Sequence, residues 1–299
     1  MFQFIFDCTL SHKPLVRAVF YKIRRLVNRV IDPIVVYKLH GHTLHLNLSH
    51  ELPFYRKKFP TYSENLFRLT TFIRERRGHL CMIDVGANVG DSYALASSIS
   101  GDTFLLIEGN PIYFQLLEMN THQDDRVIRS QVILSDIEGD TYGDFVVKKG
   151  TAGLIKTGTQ HIYCHTLDGL LKSYSHLQAC NLLKIDVDGY DIKVLKGAVK
   201  TIKQGCPVLF FEYSPQEIMA MGGNPIEVYE LLVELGYTHL LFYDNIGILV
   251  GAFASYESET LIQLTSYAQR REGYYYDICC FHQSQTADAL AFFQSEGLT

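Results

Sequence analysis

The sequence has no uncharged apolar run of about 18 residues, the length that a membrane-spanning helix needs. We therefore expect no transmembrane segment. The opening stretch MFQFIF is followed by Asp7 and has no basic flank before it, so we expect no secretory signal. Internal repeats and low-complexity segments are also absent from the sequence, which argues against a solenoid or a disordered chain.

An even set of cysteines at regular spacing is missing as well. The seven cysteines are odd in number and scattered, so we expect reduced thiols and a cytoplasmic protein. Cys279 and Cys280 lie in an apolar run, where a strand would turn them to opposite faces. We expect both in the core.

The composition is that of a soluble globular protein with a sizeable core. The 299 residues are 47% hydrophobic and 20% charged, which suits one large domain with appendages. The net charge of −5 is uneven, because residues 1–30 carry +5 and the remainder carries −10. We divide the chain into an N-terminal extension, residues 1–62, and a main domain, residues 63–299.

The extension contains a basic amphipathic helix and a hairpin. Apolar residues recur at helical spacing from Pro14 to Val30, and the alternation around Gly41 predicts a β-hairpin. A helix of this kind either makes peripheral contact with the inner face of an anionic membrane or packs on protein, including a second copy of the chain. We favour packing on protein. A nucleic-acid partner is not expected, since the rest of the chain is acidic.

The main domain repeats a strand, a turn and a helix from Cys81 onward, which predicts an α/β fold with a parallel sheet covered by helices on both faces. One insertion, 140–166, is predicted to form extra strands with a mobile loop at 150–159. The predicted strands are 80–85, 104–108, 126–134, 182–187, 207–213, 238–244, IGILVGAF and YYYDICCFH.

A glycine turn, DVGANVG, follows the first strand of this domain. Its glycines, Gly86 and Gly90, do not complete the G-x-G-x-x-G spacing of a dinucleotide site, and Asn88 can stand in for a glycine. Glu108, 22 residues after Gly86, ends the next strand, where a carboxylate can accept the hydroxyls of a ribose. These features predict a nucleoside site.

Acidic residues beside the turn indicate which nucleoside. Asp84 could receive a cationic group, and Asp136, at the end of the third strand, could accept from an adenine amino group. Two acids and an incomplete phosphate cradle favour a positively charged nucleoside over a pyrophosphate. S-adenosylmethionine is such a molecule.

The sequence resembles the FkbM family of S-adenosylmethionine-dependent methyltransferases. The matching blocks, which cover about residues 81–215, are IDVGANVGDS, LLIEGNPIYFQLLEMN, VILSDIEGD, HTLDGLL, LLKIDVDGYDIKVLKGA and PVLFFEYSP. The resemblance implies a class I, Rossmann-like sheet of seven strands, the last antiparallel and formed by YDICCFH. It also implies that Asp84, Gly86, Asn88 and Gly90 line the methionine end of the cofactor.

The resemblance further implies an acceptor hydroxyl on a sugar, a glycan or glycolipid, or another small secondary product. The family usually has Glu at Asp188 and Ala at Tyr190, so the acceptor pocket is expected to differ here.

Transfer to a hydroxyl needs a group that takes its proton. Asp186 ends the central strand, and our hypothesis is that it acts as base or metal ligand, assisted by Glu212 and Asp188. Oxygen ligands would suit Mg²⁺, but we favour a base and predict no metal site. We place His165 and Tyr213 at the acceptor.

Three other functions fit parts of the sequence. The triplet DVD at 186–188 matches the D-x-D of metal-dependent glycosyltransferases, but this leaves the glycine turn unexplained. A dehydrogenase would need the missing third glycine. A non-catalytic cofactor-binding protein would share every feature of the nucleoside site.

Overall fold

The computed structural model describes residues 1–98, 101–148 and 151–297, with backbone alone in 144–148 and 151–160. Two short 3₁₀ helices lie at Ser175–Leu177 and Gln283–Gln285. The α-helices are α1 Phe2–Thr9, α2 Pro14–Val27, α3 Leu52–Lys58, α4 Glu64–Arg77, α5 Asp91–Ala96, α6 Pro111–Thr121, α7 Leu167–Leu170, α8 Asp191–Lys196, α9 Val199–Gly205, α10 Pro215–Ala220, α11 Glu227–Glu234, α12 Ser258–Gln269 and α13 Thr286–Ser295.

The strands form one large sheet, a small sheet and a hairpin. The strands are β1 Ile34–Leu39, β2 His42–Asn47, β3 Cys81–Val85, β4 Thr103–Ile107, β5 Val127–Ser130, β6 Ile133–Leu134, β7 Gly139–Lys148, β8 Thr151–His165, β9 Leu182–Ile185, β10 Val208–Tyr213, β11 Tyr237–Asp244, β12 Leu249–Ala254 and β13 Tyr276–His282.

The large sheet has the strand order β12-β11-β13-β10-β9-β3-β4-β5. From β10 to β5 every neighbouring pair is parallel, whereas β13 is antiparallel to both β10 and β11. The order of the parallel strands reverses between β3 and β9. Ligands bind at such a reversal, beyond the carboxyl ends of the strands.

Each strand of the sheet contributes to two cores, because successive side chains point to opposite faces. Ile83 and Val85 of β3 pack with helices α7, α8, α9, α11 and α12 on one face, whereas Met82 packs with α4, α5, α6 and α13 on the other. Cys280 and Cys279 divide in the same way, as predicted. Helices therefore cover both faces, and the predicted class I architecture is confirmed.

Three details differ from the sequence-based expectations. The main sheet has eight strands among the described residues rather than seven, because β12 pairs with the outer edge of β11. The strand predicted at 126–134 is divided, and β6 joins β7 and β8 in the small sheet. Most of the loop predicted at 150–159 is strand β8, and residue 150 lies outside the described residues.

The N-terminal extension has the predicted helix and hairpin, preceded by α1. The hairpin turns at His40 and Gly41, which both have positive φ. Its β2 contacts the main domain, since the His45 N–H donates to Asn120 Oδ1 over 2.7 Å. The division at residue 62 stays a prediction. Across the described ranges, every helix is too short or too polar to span a membrane.

A stability prediction follows from Asp102, which is buried at the start of β4. Its Oδ1 accepts from the Leu80 N–H over 2.9 Å, and its Oδ2 lies 2.9 Å from Arg74 Nη2 of α4. Asp102→Ala leaves the largely covered guanidinium of Arg74 without this partner, so we expect a loss of about 3 kcal/mol of unfolding free energy in urea titrations. Asp125→Ala, at an exposed position, should stay within about 0.5 kcal/mol of wild type. Equal effects of the two changes would contradict this role of Asp102.

Candidate functional site

The turn between β3 and α5 has backbone angles that favour glycine. Gly86 and Gly90 have φ of +82° and +86°, and Asn88 between them has φ of +47°. The Gly86 N–H donates to the Ile107 carbonyl oxygen over 2.9 Å. A Cβ at residue 86 would collide with the main-chain oxygen of Asp186. The ends of β3, β4 and β9 therefore meet closely because residue 86 has no side chain.

Glu108 holds this turn from the next strand. Its two carboxylate oxygens accept the Asn88 N–H over 2.9 Å and the Asn110 N–H over 2.7 Å. Burial raises the pKa of Glu108 to about 7, although these two hydrogen bonds oppose the shift. Each carboxylate oxygen has a second lone pair, so Glu108 can still accept from a ligand hydroxyl.

A buried ammonium group joins Asp84 to the end of β9. Lys184 Nζ lies 3.0 Å from Asp84 Oδ1 and 3.4 Å from Asp186 Oδ2. Burial opposes the charged form, but the two carboxylates raise the pKa of Lys184 above its ordinary value. The cationic partner of Asp84 in this structure is thus Lys184 of the protein itself. Asp84 does not line the cavity described next.

A cavity of about 570 Å³ opens at the carboxyl ends of β3, β4, β9 and β10. Gly86, Asn88 and Glu108 line one side of it. Apolar side chains line a second side: Ile107, Val132, Ile133 and Leu134. The strand reversal therefore holds a cleft with a polar turn next to an apolar wall.

Part of the cavity wall is acidic and contains the three predicted catalytic residues. Asp186, Asp188 and Glu212 all line the cavity, together with Glu217 of α10. Oxygen atoms of Asp188, Glu212 and Glu217 lie within 4.8 Å of one another. Three carboxylates so placed could also hold a hard cation such as Mg²⁺, a use that the sequence analysis raised but did not favour.

Burial and crowding raise the pKa values of several of these carboxyl groups. Burial and then the neighbouring charges of Asp186 and Glu217 raise the pKa of Asp188 to about 7. Burial and the same two neighbours also raise the pKa of Glu212 well above its ordinary value. A protonated carboxyl can donate a hydrogen bond, so this wall offers both donors and acceptors to a ligand.

Several polar residues of the cavity were not singled out from the sequence, among them Glu217, His50, Tyr62 and Tyr275. Glu217 belongs to the first turn of α10, just past the block that ends at Pro215. His50 and Tyr62 come from the N-terminal extension and Tyr275 from the start of β13, and all three line the cavity. Tyr62 and Tyr275 are hydrogen-bonded to each other. Burial lowers the pKa of His50 to about 4, so its imidazole is neutral. Of these residues only Tyr275 lies in a conspicuous local pattern, the run YYY at 274–276.

Three predicted residues lie away from the cavity. Asp136 is exposed beside a second, smaller depression, because β6 carries it into the small sheet. The His165 ring packs against Tyr163 at 4.8 Å. Tyr213 is fully buried, and its hydroxyl lies 2.9 Å from Thr265 Oγ1. Their predicted contacts with adenine and acceptor gain no support from these positions. Gly90 shapes the turn without lining the cavity.

A model of the methyltransferase FkbM domain matches residues 84–238, just over half of the chain. No curated protein sequence matches this chain significantly. Among solved structures, the chain is similar to a methyltransferase FkbM from Methylobacillus flagellatus KT, with 17% identity and a TM-score of 0.35. That match covers 51% of this chain and 36% of the other, so the chain spans about a third of that protein.

Two further structures are similar. The M. jannaschii TYW2 in complex with AdoMet has 13% identity and a TM-score of 0.37, with 84% of this chain and 88% of that one covered. The METTL16 methyltransferase domain has 12% identity and a TM-score of 0.43, with coverage of 81% and 74%.

The turn yields a prediction that separates backbone strain from collision. Gly86→Ala meets both a positive φ and the Asp186 carbonyl oxygen, whereas Gly222→Ala meets a positive φ of +77° with open space around it. We expect Gly222→Ala to lower the unfolding free energy by about 1 kcal/mol and Gly86→Ala by about 2–4 kcal/mol. Denaturant titration of both variants checks this. Equal losses would show that the close approach at residue 86 is absent in solution.

Proposed function

Because the chain belongs to the FkbM family of methyltransferases, we propose that it transfers a methyl group from S-adenosylmethionine to a hydroxyl of a sugar, a glycan or glycolipid, or another secondary-metabolite acceptor. The observation that carries the proposal is the cavity, whose lining combines the glycine turn and Glu108 with a group of acidic residues. The turn and Glu108 suit a nucleoside, and the acidic residues suit a hydroxyl that must lose a proton.

The residues present fit S-adenosylmethionine. The cavity volume lies within the range of about 300–1,000 Å³ typical of small-molecule sites. Glu108 would accept the ribose hydroxyls, the apolar wall would hold the adenine, and the turn at Gly86 and Asn88 would hold the methionine end. The bound cofactor supplies an electrophilic methyl group on a sulfonium. The family match supports this choice of cofactor.

The acidic wall would orient the acceptor and take its proton. A hydroxyl has a high pKa, so a positioned base contributes to its transfer. We assign this role to Asp186, whose side chain is 46% exposed toward the cleft. The pKa of Glu212 is raised well above its ordinary value; in its protonated form Glu212 would donate a hydrogen bond to an acceptor oxygen, and Asp188 would assist. The function needs no metal in this form.

The glycosyltransferase alternative accounts for less of the site. Asp186 and Asp188 of the DVD triplet do line a cavity, but the glycine turn and Glu108 line the same cavity. A methyltransferase uses both groups of residues. The family match also favours methyl transfer.

The decisive experiment is transfer of labelled methyl from S-adenosylmethionine across a panel of sugars, polysaccharide fragments and lipid extracts. Isothermal titration with S-adenosylmethionine and with a nucleotide sugar accompanies it. We expect S-adenosylmethionine to bind and a hydroxyl of one acceptor class to be methylated. Binding without transfer to any acceptor class would favour a non-catalytic cofactor-binding protein, and binding of the nucleotide sugar alone would refute the proposal.

Asp186→Asn tests the assigned base. The variant keeps the main-chain carbonyl that Gly86 approaches, and Asp84 still pairs with Lys184, so the affinity for S-adenosylmethionine should change little. Turnover should fall by about 10²–10⁴-fold, the usual contribution of a general base. Steady-state kinetics and titration calorimetry measure the two effects, with Asp125→Asn as the exposed control. Full turnover in Asp186→Asn would remove it from the mechanism.

The pH dependence tests the acidic wall as a unit. With the pKa of Asp188 at about 7, the negative charge of the wall grows as pH rises through about 7, and turnover should rise with it. Glu217→Gln removes a charge that raises the pKa of Asp188, so its rate profile should move to lower pH. Glu234→Gln, at a distant exposed position, should leave the profile unchanged. Identical profiles for the wild type and Glu217→Gln would contradict this coupling.

Raising the pH is expected to lower the stability of the fold while it raises turnover. A carboxyl whose pKa is higher in the folded state than in the unfolded chain stabilises the fold below about pH 4, and that contribution is lost as pH rises through about 7.

A further inference from the structure

Helix α2 turns most of its surface away from the rest of the protein. Of its 14 residues only Arg24 is buried. Leu15 is 83% exposed, Val19 55% and Leu26 61%. Their spacings of four and seven residues place the three on one stripe of the helix. Val30 is 84% exposed just beyond the helix. Exposed apolar side chains therefore lie along α2, with Lys22 on the same stripe between Val19 and Leu26.

The inner side of the helix is fixed by Arg24. Its Nε donates to the Leu48 carbonyl oxygen over 2.7 Å, and its Nη2 donates to that of Ser49 over 2.8 Å. The same nitrogen lies 3.1 Å from Glu51 Oε1, and the guanidinium stacks over the Phe54 ring at 4.0 Å. These contacts hold α2 against the protein in one orientation, with the apolar stripe outward.

Cations surround the stripe. The exposed basic residues are Lys13, Arg17, Lys22, Arg25 and Arg29. Residues 8–31 contain no acidic residue, and across the described part of the chain none of these five cations forms an ion pair. The surface thus combines open apolar side chains with uncompensated positive charge.

We propose that α2 and its flanking residues 13–31 form a docking surface for an anionic lipid membrane. Apolar side chains of such a helix enter the boundary between headgroups and acyl chains, while its cations attract acidic lipids. This inference goes beyond the proposed function and holds whatever the acceptor is. It also changes the preference that the sequence alone gave, which was packing on protein.

Charge favours lipid over a second copy of the chain as the occupant. A two-fold symmetric dimer places the same surface of both copies in contact. Through α2 it would bring two sets of five cations together without acidic partners, which opposes association. An anionic bilayer neutralises the same charges and accepts the apolar stripe.

Co-sedimentation of the full chain with vesicles tests the proposal. We expect binding to vesicles of equal parts phosphatidylcholine and phosphatidylserine, little binding to phosphatidylcholine alone, and weakening as salt is raised. Lys22→Gln with Arg25→Gln should lower the partition coefficient by about 25-fold, on the order of fivefold for each cation. Leu15→Gln with Val19→Gln should also lower it, because the stripe loses apolar surface.

Matched controls change the same residue types elsewhere. Lys200→Gln with Lys203→Gln removes two exposed cations from α9, and Val233→Gln with Ile262→Gln removes two exposed apolar side chains from α11 and α12. Both pairs should bind vesicles as the wild type does.

Several results would overturn the proposal. They are equal binding to both vesicle types, no binding to either, or unchanged binding by both α2 pairs. Sedimentation velocity provides a further test. If the wild type binds no vesicles and forms a dimer, and if the double variant Leu15→Gln with Val19→Gln is monomeric, the surface belongs to a second copy of the chain. Since all four α2 positions are exposed, circular dichroism should show wild-type folding in each variant.

Discussion

The ammonium group of Lys184 is the interaction on which the site depends. It lies in the centre of the sheet between Asp84 and Asp186, directly beneath the cavity. One buried cation faces a larger number of carboxyl groups, and water reaches few of them. Burial, and then the charges of Asp186 and Glu217, therefore raise the pKa values of Asp188 and Glu212. An acidic cavity acquires hydrogen-bond donors in this way, and it acquires a group that can change charge near neutral pH.

Local patterns predicted the parts of the molecule that depend on neighbours in the chain. The glycine turn requires residues 86–90 alone, and Glu108 follows its strand directly, so both could be placed from sequence. The repeated strand, turn and helix likewise predicted the parallel sheet and the reversal at which the cavity lies. Asp186, Asp188 and Glu212 were brought to one wall because the carboxyl ends of neighbouring parallel strands meet at one edge.

The remaining features of the site depend on tertiary contacts, or could be predicted only by following the alternation of side chains along each strand residue by residue. Tyr213 follows Glu212 in β10, and alternation along a strand sends the two side chains to opposite faces. Asp136 was assigned to a continuous third strand, but the chain leaves the main sheet after Ser130. His50 and Tyr62 reach the cavity through packing of the extension, which no local pattern encodes. The exposure of α2 could not be known until its buried side was seen to hold little besides Arg24.

The N-terminal extension completes the cavity wall. It therefore belongs to the smallest fragment of this chain in which turnover can be studied. The family match begins at residue 84 and ends at residue 238. A fragment cut at those limits would lack His50, Tyr62 and Tyr275 from the cavity wall, and it would lack β13, which lies between β10 and β11 in the sheet. It would also lack most of β3 and of β11. The turn would then lose the strand that leads into it, and β10 would expose the edge that β13 covers, so aggregation would precede any measurement of turnover.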